Sequence, residues 1–453
     1  MKQLLAYCLS IILCVSFTGC MENYLDLYPE DKITSASFPE NESDIKLLLN
    51  GVYAQLREKE VYNQGLFGFG ITDGATPNAF NWGTDEVFNK LGAGRLSSSD
   101  GGVVTYRWKR CYEIISRANY LLACMDLVDL SEEAKAKYSG ETHFLRGLAY
   151  SVLAETYGGV PIILTNISTE EARSLKRASL EETWQQALDD YEVAITNLGV
   201  DAPEPGRATK GAALGMKMRA YLYQGKYKEV LACVEQIDAL KKYGLFHSYE
   251  GLFDPANENN KEVLFDIQYI EGENSQGSYI DQYCGTGTGS WTRGSRYVPT
   301  DDLVAAYETI DGSPVDPENP YENRDPRLGF TAVLPGSYFL GYRFPNYLYP
   351  GGAFNHAGNR LKHLSTRKYR IQDESKLPPS GQSYINDIIL RYADVLLSKA
   401  EAIIETNGNV ADAIAILNRI RTERDDVKIS LLPTSMSREE AREKVRHERR
   451  IEL

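Results

Sequence analysis

Apolar residues in this chain recur every three to four positions over long stretches, and two extended tracts break that rhythm completely. The clearest periodic stretch is 388–421. There Ile389, Ala393, Leu396, Ala400 and Ile403 share one face of a helix. Asn407-Gly408-Asn409 interrupts the pattern, with Gly408 suited to a left-handed C-terminal cap and Asn409 to the next N-cap. Val410, Ala413, Leu417 and Ile420 then restart the same period. The stretch reads as a helical hairpin whose alanines allow close approach of its two arms. A hairpin of this kind cannot bury its own apolar face, so it predicts neighbours of the same type.

The same spacing predicts helices over 44–57, 104–125 and 132–157, the last stopped by Gly158-Gly159 and Pro161. Ser179 and Glu182 form a capping box that opens a helix carrying Trp184, Leu188, Tyr191, Ile195 and Leu198. A second hairpin spans 209–224 and 226–241 with Gly225 at its turn, and Ser437 with Glu440 caps a final helix running to Leu453. Two tracts lack period. Residues 61–102 mix glycines with Phe67, Phe69, Phe80, Trp82, Asp73, Asn78 and Asn81, a loop length expected only of packed or functional segments. Residues 243–387 hold 14 of the 30 tyrosines and 11 of the 18 prolines, with short strand-like runs at 263–269 and 330–334. Aromatic content this high argues against disorder and for a compact, loop-dominated insertion. Trp108 and Trp184 lie on helical stripes and are expected in the core. The fold expected is mainly helical, with a helical-repeat scaffold interrupted by one large irregular insertion.

Charge and the N-terminus narrow the setting. The formal net charge of −14 argues against nucleic acid or an anionic membrane surface as partner. Lys2 followed by the 14-residue apolar region 4–17 has the form of a secretory signal and is too short to span a bilayer. Phe17-Thr18-Gly19-Cys20 follows, resembling a bacterial lipobox in which Cys20 becomes the lipidated N-terminus, although Phe17 stands where Leu is usual. Loss of residues 1–19, with their single lysine, takes the charge to −15. Beyond Cys20 the cysteines are Cys111, Cys124, Cys233 and Cys284. Cys111 and Cys124 share one predicted helix, where 13 positions separate them by roughly 20 Å. A disulfide requires about 7 Å or less, so these two cannot pair with each other, and buried free thiols are expected.

Several stretches together resemble the SusD/RagB outer-membrane lipoproteins of Bacteroidetes. They include Cys20 followed by YLDLYPEDKITSASF at 24–38, ETHFLRGLAYSVLAETYGGVPII at 141–163 and RASLEETWQQALDDYEVAI at 177–195. GRATKGAALGMKMRAYLYQGKY at 206–227 and ENRDPRLGFTAVL at 322–334 follow. INDIILRYADVLLSKAEA at 385–402 and the terminal ERRIEL at 448–453 complete the set. The resemblance implies a tetratricopeptide-like scaffold of about four helix pairs. It divides the chain into a signal peptide (1–19), a lipidated tether (20–43), an N-terminal helical region (44–242), the aromatic-rich insertion (243–387) and a C-terminal hairpin with final helix (388–453). It further implies a surface-exposed, lipid-anchored outer-membrane protein. Such a protein binds a nutrient glycan and passes it to a SusC-like TonB-dependent transporter, without catalysis. A peptide ligand, as in part of that family, and a pure protein-interaction scaffold are the alternatives. In that family ERRIEL continues into an aromatic, glycine-containing tail, so the resemblance implies a longer chain than one ending at Leu453.

No residue frame points to catalysis. Carboxylate pairs are common among 63 acidic residues, but none sits in a general acid–base frame. The five histidines form no close ligand pair, and Gly285-Thr286-Gly287-Thr288-Gly289 lacks the following Lys-Ser/Thr of a phosphate loop. No cofactor or metal is expected. A sugar site needs flat apolar faces for the ring C–H surface and planar polar groups for hydroxyl pairs. The loops 73–82 and 283–297 combine both types, and Trp82 and Trp291 are the only tryptophans outside predicted helices. Trp82, Trp291 and Tyr283 are therefore the expected stacking platform, with Asp73, Asn78, Asn81 and Arg293 as polar partners.

Overall fold

The computed structural model describes residues 38–57, 73–81, 90–272, 277–278, 297–340, 342–344, 364–378 and 382–453. Its N-terminal half is a series of antiparallel helices. α1 (Glu42–Ala54) starts at Asn41, whose side chain accepts from the Ser43 and Asp44 amides, and buries Ile45, Leu49 and Val52. α2 (Val103–Cys124) and α3 (Glu132–Tyr157) follow, then the short α4 (Thr169–Ser174), α5 (Leu180–Asn197), α6 (Lys210–Tyr223) and α7 (Tyr227–Ala239). Each long helix packs on the next long one. The expected capping box at Ser179 is present, its hydroxyl accepting from the Glu182 amide while the Glu182 carboxylate accepts from the Ser179 amide. Cys111, Cys124 and Cys233 are buried free thiols; burial pushes Cys111 up to about 12 and Cys233 to about 11, the thiol range of an unreactive site.

The Gly-Gly-Val-Pro stretch has a backbone reason. Gly158 adopts φ +75° as the C-cap of α3. A Cβ on Gly159 would lie 2.1 Å from the Ala178 carbonyl oxygen, so the strand-like segment leaving α3 can lie against the start of α5 only without a side chain there.

The irregular insertion is built from two-residue to five-residue strands and short helices. β1 (Ala79–Asn81) belongs to the earlier aperiodic loop; β2 (Val263–Ile267) and β3 (Tyr297–Pro299) follow in the insertion. Then come α8 (Asp301–Ala306), α9 (Pro326–Thr331), β4 (Ala332–Val333), β5 (Tyr338–Phe339), β6 (Tyr342–Arg343), β7 (Ser365–Thr366) and β8 (Asp387–Arg391). The four ladders among the described residues are antiparallel: β1 with β3, β2 with β8, β4 with β7, and β5 with β6. The expected strand at 330–334 is only half right, because α9 extends through Thr331.

After the insertion come α10 (Tyr392–Glu405), α11 (Val410–Thr422) and α12 (Arg438–Glu452). α10 packs on α7, so the two hairpins that lie 183 residues apart at their turn glycines (Gly225 and Gly408) become neighbours. One buried core runs from Ile45 to Val445. The pairs α1/α2, α3/α5, α6/α7 and α10/α11, with α12 laid against α10 and α11, make the expected mainly helical repeat scaffold.

Two local expectations are corrected. Ile388 and Ile389 belong to β8, not to the helix, which begins at Tyr392; Val263 to Ile267 captures that segment as a ladder partner. The left-handed residue of the 388–421 hairpin is Asn407, at φ +61°, one position before Gly408. Gly408 is required for a different reason: a Cβ there would meet the Ile403 carbonyl oxygen at 3.0 Å and its Cγ2 at 2.9 Å. Asn409 caps α11 as expected.

Candidate functional site

The terminal ERRIEL residues hold the scaffold and the insertion together. Glu448 and Glu452 lie one turn apart on α12 and both point into the interior. Glu448 accepts from Arg327 of α9 at 2.7 Å and from Arg421 of α11 at 2.9 Å. Glu452 accepts from Arg391 of β8 and Arg424 at 2.7 Å each, and from Arg327 at 2.9 Å. Glu262, just before β2, closes the network by accepting from Arg391 and Arg424. Burial alone would raise the Glu452 carboxyl, but Arg424, Arg391 and Arg327 hold it well below the usual carboxylate range. The two intervening arginines face elsewhere. Arg449 pairs with Asp394 of α10 at 2.7 Å, and Arg219 of α6 reaches the other oxygen of that carboxylate at 2.6 Å. Arg450 reaches both aperiodic tracts, donating to Asn78 of the first and Asp302 of the insertion.

Between scaffold and insertion lies a cleft of about 700 Å³. Ser151 and Glu155 of α3, Trp184 of α5, Arg219 and Tyr223 of α6 and Arg449 form its scaffold wall. Asp73, Asn78, Tyr307, Lys368, Tyr369 and Asp387 form the opposite wall. Aromatic faces and planar polar groups thus line the same space. Lys368 donates to the Leu453 carbonyl at 2.9 Å and to the Tyr249 hydroxyl at 3.2 Å. Burial, with the Arg391 charge nearby, draws its ammonium down to about 7. Burial and the neighbouring Asp266 push Asp387 up to about 7, and burial raises Asp73 against the pull of Lys368. Among the described residues no group of three His, Cys, Asp or Glu is placed to hold a metal.

Beside the cleft, β1 and β3 bring the two sugar-type loops to one place. Ala79 pairs with Pro299, Phe80 with Val298 and Asn81 with Tyr297. Thr300, which caps α8, extends the ladder: its amide donates to the Asn78 carbonyl at 3.1 Å and its hydroxyl to the Pro77 carbonyl. The loop that enters at Asn81 and the one that returns at Tyr297 therefore share a base.

Of the site residues expected from sequence, Asp73 and Asn78 line the cleft. Asn81 ends β1, where its backbone pairs with Tyr297. Trp82, Tyr283, Trp291 and Arg293, like Cys20 and Cys284, lie outside the described residues. Trp184 is 6% exposed, as a core residue should be, and also lines the cleft. Trp108 is half-buried and packs edge-on against Tyr157 at 5.2 Å between ring centres. Sequence reasoning missed Tyr223, Lys368 and Asp387. Tyr223 follows a helical period and reads as packing, Lys368 sits in a stretch with no motif, and Asp387 lies within the 385–402 stretch but just ahead of its apolar period. Arg450 could have been flagged, because it stands inside the terminal motif.

A helical-repeat scaffold whose insertion folds back to form a cleft defines the class of protein. Comparison then assigns the family. The model described as "SusD family" matches residues 261–453, and that described as "Starch-binding associating with outer membrane" matches 23–222. The chain belongs to the SusD family. It is 25% identical to SusD-like protein P25 of Formosa agariphila, over 100% of this chain and 87% of that one. A SusD-like protein of Bacteroides ovatus is 24% identical over 89% of this chain and 73% of its own length. Among solved structures, a SusD-like carbohydrate binding protein from Bacteroides fragilis superposes with TM-score 0.79 at 26% identity, covering 91% of this chain and 83% of that one. A laminarin binding SusD-like protein shares the fold at TM-score 0.71 and 20% identity, covering 91% of this chain and 89% of its own.

Proposed function

We propose that this chain is a non-catalytic lipoprotein of the outer membrane, anchored through Cys20, that binds a nutrient glycan at the cell surface. It delivers that glycan to a SusC-like TonB-dependent transporter. The observation that supports this reading best is the β1–β3 ladder. Two loops selected from sequence for their stacking and hydrogen-bonding side chains leave from paired residues, Asn81 and Tyr297, beside a cleft lined by Asp73 and Asn78. Trp82, Trp291 and Tyr283 serve as the stacking platform, and Asp73, Asn78, Asn81 and Arg293 as the hydrogen-bonding groups. Aromatic faces suit sugar rings because they bring large contact area with few rotatable bonds to freeze. The carbohydrate-binding relatives support the ligand class.

A glycan array probed with the lipid-free protein tests this reading. Binding to a defined oligosaccharide, with no reducing ends released on prolonged incubation, is the expected result. Release of products would make the protein a hydrolase. Capture of an oligopeptide in preference to every glycan would move the ligand class to peptides.

A further inference from the structure

We propose that Arg450 is a positioning residue for the ligand site: a single guanidinium that locks together the bases of the two loops. Its Nε donates to the Asn78 side-chain oxygen at 2.7 Å, and its Nη2 donates to the Asp302 carboxylate at 2.7 Å. Asn78 immediately precedes β1 and Asp302 lies three residues after β3, so the fork grips the ladder from both of its arms. The Thr300 hydroxyl also joins the two arms, donating to the Pro77 carbonyl while accepting from the Leu303 amide, but Arg450 joins them from a third element, α12. The guanidinium suits this task because its donors are fixed in one plane, so two partners held by it are also held relative to each other.

The post that carries this fork is rigid. Glu448 and Glu452 on either side of Arg450 are buried in the four-arginine network, and Arg449 is fixed on Asp394. Arg450 itself is partly exposed and takes no part in that network. Its loss therefore leaves the helix seated while freeing the ladder. The contact also decides what Asn78 offers a ligand. With its carbonyl oxygen turned toward Arg450, the Asn78 side chain is held in one orientation, its NH₂ directed away from the guanidinium and able to donate to a sugar oxygen. Arg450 thus fixes both the separation of the two loop bases and the orientation of the Asn78 amide between them.

This inference rests on the carbohydrate reading above, and its test separates the two. Arg450→Gln, Arg450→Lys and Asp302→Asn are compared with the wild-type chain by calorimetric titration of the best oligosaccharide from the array, by thermal unfolding and by hydrogen exchange. Both Arg450 variants are expected to bind about tenfold more weakly, equivalent to about 1.4 kcal/mol. Lysine fails with glutamine because its freely rotating ammonium does not fix two partners relative to each other as the planar guanidinium does. The amides of 79–81, Tyr297, Val298 and Thr300 exchange faster in all three variants, while those of α12 and the unfolding temperature stay unchanged. Asp302→Asn weakens binding less, and its effect disappears in the Arg450→Gln background. Wild-type affinity in Arg450→Gln, or unchanged exchange in the ladder, overturns the proposal. So does full rescue by lysine, or a fall in unfolding temperature that accounts for all of the affinity lost. If the wild-type chain binds no glycan, the carbohydrate reading fails, and the exchange arm alone decides whether Arg450 clamps the ladder.

Discussion

Replacing Glu452 with glutamine removes one negative charge from the joint between scaffold and insertion and changes almost nothing in volume. Two oxygens of Glu452 serve three guanidiniums: Oε1 accepts from Arg391 and Arg424, and Oε2 accepts from Arg327. A glutamine must turn its NH₂ toward one of these sets, which places donor against donor whichever way it flips. The pocket also keeps its arginines while losing a countercharge. Breaking a buried ion pair on one side costs on the order of 3–5 kcal/mol, and the retained shape and one surviving acceptor place this change near the lower end, about 3 kcal/mol. Glu439→Gln, in the exposed first turn of the same helix, is the control and should stay within about 0.5 kcal/mol. Urea unfolding followed by circular dichroism reads both. The sign of the pH dependence follows from the depressed carboxyl of Glu452. Its contribution is complete above the ordinary glutamate value of about 4.3 and is lost as pH falls below it. The gap between wild type and Glu452→Gln should therefore close as the pH is lowered from 5 toward 3. A variant as stable as the control at pH 7, or a gap that does not change with acid, would refute the role given to this network.

Other consequences follow from single contacts. Gly159→Ala forces a methyl group to within 2.1 Å of the Ala178 carbonyl, so the segment after α3 must shift; a loss of about 1–3 kcal/mol in the same unfolding assay is expected. The Asp387 carboxyl, raised to about 7 by burial and Asp266, binds protons in the folded chain that the unfolded chain has already released. Its presence therefore lowers stability as pH rises from about 4 to 7. Asp387→Asn should relieve that decline, stabilising the protein more at pH 7.5 than at pH 5 in thermal scans; an equal effect at both would exclude it. Trp82→Ala and Trp291→Ala should each weaken oligosaccharide binding by about 1 kcal/mol, the order of one aromatic face's contribution, without lowering the unfolding temperature.

The scaffold was legible because helical period is local. Ala393, Leu396 and Ala400 announce α10 whatever the rest of the chain does, and Ser179 with Glu182 marks the start of α5 within four residues. The error at Ile388 and Ile389 has a non-local cause. Their apolar spacing fits either a helix or a buried strand, and only β2, more than 100 residues earlier, decides for the strand. The cleft is harder still. Asp73, Tyr223, Lys368 and Arg450 each come from a different part of the chain, and nothing in the neighbourhood of Lys368 signals that it will face Asp73. By contrast, Asp73 and Asn78 were reachable from sequence, since polar groups beside Phe80 and Trp82 in an aperiodic loop fit a binding surface better than a core.

The central claim is that the loops on the β1–β3 ladder bind a glycan and do not cleave it. Isothermal titration of the wild-type chain and of Trp82→Ala with the best oligosaccharide from an array, followed by chromatography of the recovered sugar, measures this directly. Saturable binding by the wild type, marked weakening in the variant and an intact oligosaccharide at the end are predicted. Equal affinity in the two proteins, or a shortened sugar, would contradict the account.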